Sequence, residues 1–178
     1  DLSVLFNDDL LAVTEGTKVA AQINVSWEER GTTESYSVNT TLSVANRNAM
    51  TWDDDRKAAS FVTAKDPAIL GFSKTVAGIV RVGGRTVVNT NLRTAMALLE
   101  ALNLYGIRYV VDPTTPYAEF SENAQVIDFL QFPVQTFQYG AGDCDDLSIC
   151  YTANLEAAGV PAAFITVPGH IFTAFNTG

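Results

Sequence analysis

Gly142-Asp143-Cys144-Asp145-Asp146-Leu147-Ser148-Ile149-Cys150-Tyr151, together with the shorter Pro168-Gly169-His170-Ile171-Phe172 that follows it, decides how this chain is read. Gly140-Ala141-Gly142 marks a loop, and Asp143 is a candidate helix cap. The apolar positions Cys144, Leu147, Tyr151 and Leu155 then recur at helical spacing until Gly159 ends the pattern. The spacing predicts a helix that begins at Cys144. A thiol in the first turn of a helix meets free backbone N–H groups and the positive end of the dipole, which favour thiolate and can help hold an oxyanion. Residues 160–167 read as a buried strand, Pro168-Gly169 as a turn and residues 170–175 as a second strand. Such an antiparallel pair can set the start of its second strand beside the start of the helix. Cys144 and the single histidine, His170, are therefore the candidate nucleophile and general base. Taken singly, a free cysteine commonly packs in a core and a histidine beside a turn commonly lies on the surface; it is their joint placement at two element starts that points to chemistry.

Working outward, Asp143, Asp145 and Asp146 are candidates for local support of that site. Carboxylates in a first helical turn are ordinary dipole partners, and here they also oppose thiolate formation by repulsion. The alternative is that one of them braces the loop or binds a cationic group. Gln138 and Gln135, just upstream, are candidate side-chain donors to an oxyanion. Cys150 would lie about 9 Å from Cys144 along a helix, too far for a disulfide, and reads as core.

The chain's 178 residues suffice for one medium domain, or a domain with a small appendage. A formal net charge of −9 argues against nucleic acid or an anionic membrane surface as the main partner. No run reaches transmembrane length and no basic-apolar signal segment opens the chain, so no membrane insertion is expected. One histidine and two poorly spaced cysteines give no zinc-type ligand set, and neither a metal nor a cofactor is expected. The chain starts at Asp1, which suggests a processed or excised piece of something longer. Asn24-Val25-Ser26 and Asn39-Thr40-Thr41 are acceptor triplets, meaningful only in a eukaryotic secretory setting.

Residues 1–48 look β-rich. Alternation over 18–27 and 35–44, around a polar turn at 28–33, predicts a half-buried antiparallel hairpin, too small to be stable alone, that packs on the following segment or continues a sheet from an upstream region. From 49 to 178 helices lead. Thr51-Trp52-Asp53-Asp54-Asp55 and Asp66-Pro67 are helix starts, and Gly83-Gly84 is a break. Residues 89–104 form a third helix, with Leu92, Met96, Leu99 and Asn103 on one face and Ala95, Leu98 and Leu102 beside it, stopped by Gly106. A short strand is expected over 107–111. Residues 112–138 read as irregular; the aromatics at 117, 120, 129, 132, 137 and 139 either line a substrate groove or roof the core.

The segment from about Phe132 to Phe175, with Gly142-Asp143-Cys144-Asp145-Asp146 followed by helix, strand and Gly169-His170, resembles the core of the transglutaminase-like superfamily of papain-like cysteine enzymes, in a bacterial-type form. The resemblance implies an α+β fold, a cysteine helix packed on an antiparallel sheet, preceded here by the β-rich segment. It implies Cys144 as nucleophile and His170 as base in acyl transfer on protein or peptide amides. The family's third member, an acid on the following strand, has no counterpart before Gly178. Asn176 stands about 20 Å along the strand from His170. The acid then lies beyond Gly178, or an upstream Asp takes its role, or the site is no full triad. Two functions follow: a transglutaminase-like cysteine peptidase or amidase, and a non-catalytic protein-interaction module of a larger envelope or extracellular protein. Hydrolysis or amine transfer, the substrate, the compartment and the oligomeric state stay open.

Overall fold

The computed structural model describes residues 7–83, 88–114, 117, 123 and 126–178. The chain divides into two compact units, Asp1–Ala49 and Met50–Gly178.

The first unit is a two-stranded ribbon, β1 (Thr17–Glu29) and β2 (Thr32–Val44), after a short 3-10 turn at Asp8–Ala12. The connection is two residues long, Arg30 at φ 52° and Gly31 at φ 83°. Two successive positive φ values give a turn whose twist matches that of the strands. The register sets Val19 opposite Leu42, Ile23 opposite Val38 and Val25 opposite Tyr36. One face is thus apolar. The other carries Gln22, Asn24 and Ser37, linked by Gln22 Nε2 donating to Ser37 Oγ (3.1 Å) and Ser37 Oγ to Asn24 Oδ1 (2.7 Å). The expected half-burial is not found, because a two-stranded ribbon has no second layer of its own and both its faces stay exposed.

In the second unit the helix expected from Thr51 is a 3-10 helix, Asp55–Phe61, whose start is capped by Asp54 accepting from the Arg56 N–H. Helix α1 (Pro67–Val82) opens on Asp66, which accepts from Ala68 N at 2.9 Å. Helix α2 (Thr90–Tyr105) is capped by Asn89 and stopped by Gly106 at φ 104°. Its buried face is Thr94, Ala95, Leu98 and Leu102; Met96 and Leu99, on the rival stripe, are 62% and 59% exposed. The two stripes are similarly apolar, and it is packing of Ala95 and Leu98 with Val76 of α1 and with Leu155 that selects one.

Strand β3 (Ala49–Met50) spans the division between the units. The strand expected over 107–111 shortens to β4 (Arg108–Tyr109), which runs parallel to β6 (Ala141–Gly142). The stretch expected to be irregular contains β5 (Asp128–Phe129) and helix α3 (Pro133–Tyr139). Pro133 sets the first turn of α3, and Gln135 Oε1 reaches back to accept from Phe132 N at 2.8 Å.

Helix α4 (Cys144–Ala157) is the centre of the unit. Ten of its residues are buried: Cys144, Asp145, Asp146, Ser148, Ile149, Cys150, Thr152, Ala153, Asn154 and Leu155. A helix buried on every side is a core element rather than a surface helix with one inner stripe. Its buried polar groups are tied to neighbours: Ser73 Oγ of α1 donates to Asn154 Oδ1 (2.7 Å), and Ser148 Oγ donates to Ile171 O (3.2 Å). The hairpin β7 (Ala162–Val167) and β8 (His170–Phe175) closes through Pro168-Gly169, with Gly169 at φ 72°. The unit is a mixed α and β arrangement, in which short strands alternate with the helices and an antiparallel hairpin closes the chain.

Candidate functional site

Cys144 is the first residue of α4, and its sulfur lies in a buried cluster with Trp52, Tyr117, Leu130, Ile149 and Ile171. Burial pushes the thiol above its ordinary 9.0. The Ile171 backbone N–H opposes this by pointing at the sulfur; the charge of Asp143 adds to the rise, and the N–H groups of Cys144 and Asp145 oppose it. The start of β8 therefore runs beside the start of α4 at the level of the backbone.

The side chains of β8 alternate about that backbone. Ile171 is buried, and Thr173 Oγ1 meets Thr152 Oγ1 at 3.0 Å, so this face looks at α4. His170 and Phe172 fall on the other face, both exposed, their rings near-parallel with centroids 6.1 Å apart. No hydrogen bond joins the Cys144 sulfur to the His170 imidazole among the described residues; the two are linked through the Ile171 peptide.

Gly142 lets the acidic run fold back on itself. A Cβ there would stand 2.6 Å from Asp146 Cβ, so only glycine admits the close approach. Asp146, buried by that approach, accepts from Gln131 N at 2.7 Å and holds the loop ahead of α3. Asp143 occupies the cap position without capping: its Oδ2 accepts from Tyr117 N at 3.2 Å instead. Asp145 Oδ1 accepts from Asp146 N at 2.8 Å. Asp146 is thus bonded to the backbone of the loop ahead of α3, and all three acids are buried.

One oxygen or more from each of Asp143, Asp145 and Asp146 lies within 4.8 Å of the others. Asp128, with Oδ2 bonded to Trp52 Nε1 at 2.7 Å, adds further negative charge at Asp145. Burial first, then the hydrogen bond and charge of Asp143, push the Asp145 carboxyl well up. Burial likewise raises Asp146 to about 7, against the Gln131 N–H that lowers it. Asp143 Oδ1 is buried without a hydrogen-bond partner, and the hydrogen bond between the Asp145 and Asp143 side chains is one that a proton on Asp145 supports. The same oxygens are the described donor set suited to a hard divalent cation.

Gln135 is buried and spends its Oε1 on the start of α3, whereas Gln138 is exposed one helical turn later. Cys150 is buried at 1% exposure, its thiol pushed up to about 12 by burial and by Asp146; it is core. Sequence reasoning missed Tyr109. Its partner in the parallel β4–β6 pair is Gly142, and its hydroxyl is raised first by burial and then by the charges of Cys144, Asp143 and Asp145. The short apolar run 107–111 leading to a loop was the available signal. Of the aromatics, Tyr117 meets Trp52 edge-on at 4.8 Å, Phe132 packs on Phe61 and Phe137 on Phe72 and Tyr105, so these roof the core; Phe120 lies outside the described residues. A cavity of about 670 Å³ runs along the far half of α4, lined by Asp55, Arg56, Thr152, Glu156 and Phe164. Thr152 is eight residues, about 12 Å of helix, beyond Cys144.

No protein-family model matches the chain, and no curated protein matches it. Among solved structures, a putative protease from Parabacteroides distasonis is similar at a TM-score of 0.35 and 13% identity, over 85% of this chain and 31% of that one. The chain thus spans less than a third of the length of that protein.

Proposed function

We propose that the second unit is a transglutaminase-like thiol acyl-transfer domain, acting on protein or peptide amides with Cys144 as nucleophile and His170 as general base. The observation that carries the reading is the pairing of Cys144, at the first turn of a central buried helix, with the Ile171 N–H directed at its sulfur. In the reaction the imidazole takes the thiol proton and the thiolate adds to the amide carbonyl carbon. The C–N bond then breaks, with the imidazolium proton leaving on the amine, and a thioester remains. Water resolves it to a carboxylic acid, or a second amine to a new amide; either regenerates the thiol. The Cys144 and Asp145 N–H groups, directed at the sulfur, suit the oxyanion. The catalytic reading requires the His170 ring to leave its exposed stack on Phe172 and the start of β8 to shift toward the sulfur. That stack, and the raised thiol, favour the second reading, in which the domain binds protein without catalysis.

Alkylation by iodoacetamide across pH 5–10, mapped by mass spectrometry, separates the two. A nucleophile-base pair labels Cys144 at least about tenfold faster than Cys150 at pH 7, and His170→Ala moves the rate profile to alkaline pH. Equal slow labelling of both cysteines, or a Cys144 profile unchanged by His170→Ala, leaves only the binding reading.

A further inference from the structure

The ribbon of the first unit carries an apolar face that no second layer of its own covers. Val19, Ile23, Val25, Trp27, Tyr36, Val38 and Leu42 are each 37–60% exposed. The register puts them all on one face, as the pairs Val19–Leu42, Ile23–Val38 and Val25–Tyr36, with Trp27 opposite Glu34. The opposite face, from Lys18 through Gln22, Asn24 and Ser26, is polar throughout apart from Ala20. Charge on the apolar face is confined to Glu29 and Glu34, next to the Arg30-Gly31 turn.

The exposed part of those seven side chains amounts to roughly 600 Å² per chain, at the upper end of what a lone soluble protein leaves open. Two such faces laid together remove about 1,200 Å², which reaches the lower bound for a specific protein–protein interface. A two-stranded ribbon is marginal alone, whereas two stacked face to face form a four-stranded sandwich about 10 Å thick. Charge fixes the direction. A parallel stack would oppose Glu29 and Glu34 of one copy with the same residues of the other; an antiparallel stack sets the acidic turn end of each against the uncharged far end of the other's apolar face, at Thr17, Val19, Leu42 and Val44.

We infer that the β1–β2 ribbon is a homodimerisation surface, on which a second copy of this chain packs apolar face to apolar face about a two-fold axis at Ile23 and Val38. The contact is isologous and self-complementary, so it closes at two copies. It is independent of the chemistry at Cys144.

Sedimentation equilibrium of the whole chain tests this. The expected mass is about twice the 19.2 kDa of one chain at 50 μM, with dissociation on dilution. Ile23→Lys, which sets two like charges together at the axis, weakens the dimer at least about tenfold, while Asn24→Lys, the same charge on the polar face, changes it less than about twofold. A chain that stays monomeric to 200 μM, or equal effects of the two substitutions, overturns the proposal. Should Ile23→Lys unfold the ribbon, cross-linker trapping decides instead. A short bis-maleimide that spans the roughly 10 Å between the two faces joins Ile23→Cys into a covalent dimer, and it joins Gln22→Cys and Trp27→Cys at least about tenfold more slowly, the first facing away from the interface and the second lying off the axis. Faster trapping through Trp27→Cys or Gln22→Cys overturns it.

Discussion

The β1–β2 ribbon and helix α4 show opposite relations between pattern and burial. In the ribbon, alternation is carried through both thirteen-residue strands, and the chain forms the hairpin that alternation calls for. Yet both faces stay exposed. In α4 the apolar spacing is loose and acids, serine, threonine and asparagine interrupt it, yet ten of fourteen residues are buried. A periodic pattern specifies the local conformation; burial depends on how many layers the rest of the chain brings against it. Where layers are supplied on every side, polar side chains go inside as well, provided their hydrogen bonds are met, as Asn154 does with Ser73 and the Cys150 carbonyl.

The largest expected effect tests the buried acids. The Asp146 carboxyl is raised from 3.8 to about 7, so between these values the folded chain holds a proton that the unfolded chain has lost. Its contribution to stability is therefore full below about pH 4 and is lost as pH rises to about 7, at up to ~1.4 kcal/mol per pH unit. Asp145 shifts in the same direction. Exposed Asp54, lowered to about 2 by Arg56, has the opposite sign and acts at lower pH. Asp146→Asn keeps an acceptor for Gln131 N and removes the charge. Urea denaturation at pH 4, 5.5 and 7 is expected to show stability of the second unit falling with pH in the parent and a flatter dependence in the variant. A parent whose stability rises steadily across that window would mean that the acids are ionised and compensated.

Next in size is Gly142→Ala. The new methyl meets Asp146 Cβ at 2.6 Å, where both atoms belong to elements packed in the core. Relief requires moving the start of α4, at a cost of about 2–3 kcal/mol. A lowered midpoint in thermal denaturation is expected, together with loss of selective Cys144 alkylation. An unchanged midpoint would show that Asp146 does not hold this position.

Helix and strand ends were the legible part of this sequence. Asp66-Pro67, Asn89, Gly106 and Gly159 each act within one turn of the chain, and the elements begin or end beside them. So does Cys144, whose place at the start of α4 follows from the loop glycines before it. What could not be read is what faces what. The charge-dipole rule places Asp145 and Asp146 at a helix start, but burial of Asp146 follows from the missing Cβ of Gly142 and the N–H of Gln131, fifteen residues away. The buried stripe of α2 was chosen by its neighbours. Helix α3 was hidden because its seven residues are mostly aromatic, proline and β-branched, and a tertiary setting outweighs weak propensity over so short a run. At the candidate site, the sequence brings the start of β8 near Cys144, while the pleat determines that Ile171, not His170, faces α4.

The smallest effect belongs to the ribbon, where one turn residue is out of keeping with its conformation. Arg30 has φ 52°, the one non-glycine with positive φ among the described residues. An arginine is strained in that region, whereas asparagine tolerates it, and Asn-Gly is the preferred pair for a two-residue turn with both φ values positive. Arg30→Asn is therefore expected to stabilise the ribbon by about 0.5 kcal/mol. The gain is too small to read from a melting curve dominated by the second unit. Hydrogen exchange resolves it: amides of the cross-strand pairs nearest the turn, such as Trp27 and Glu34, should exchange about twofold more slowly, with those of α4 unchanged. The effect should also fade away from the turn, because the register at Lys18 and Ser43 is held by pairing over thirteen residues and not by the turn alone. Slower exchange in α4 as well would mean that ribbon and helix unfold as one cooperative body, and that the contrast between the two regions concerns burial alone and not stability.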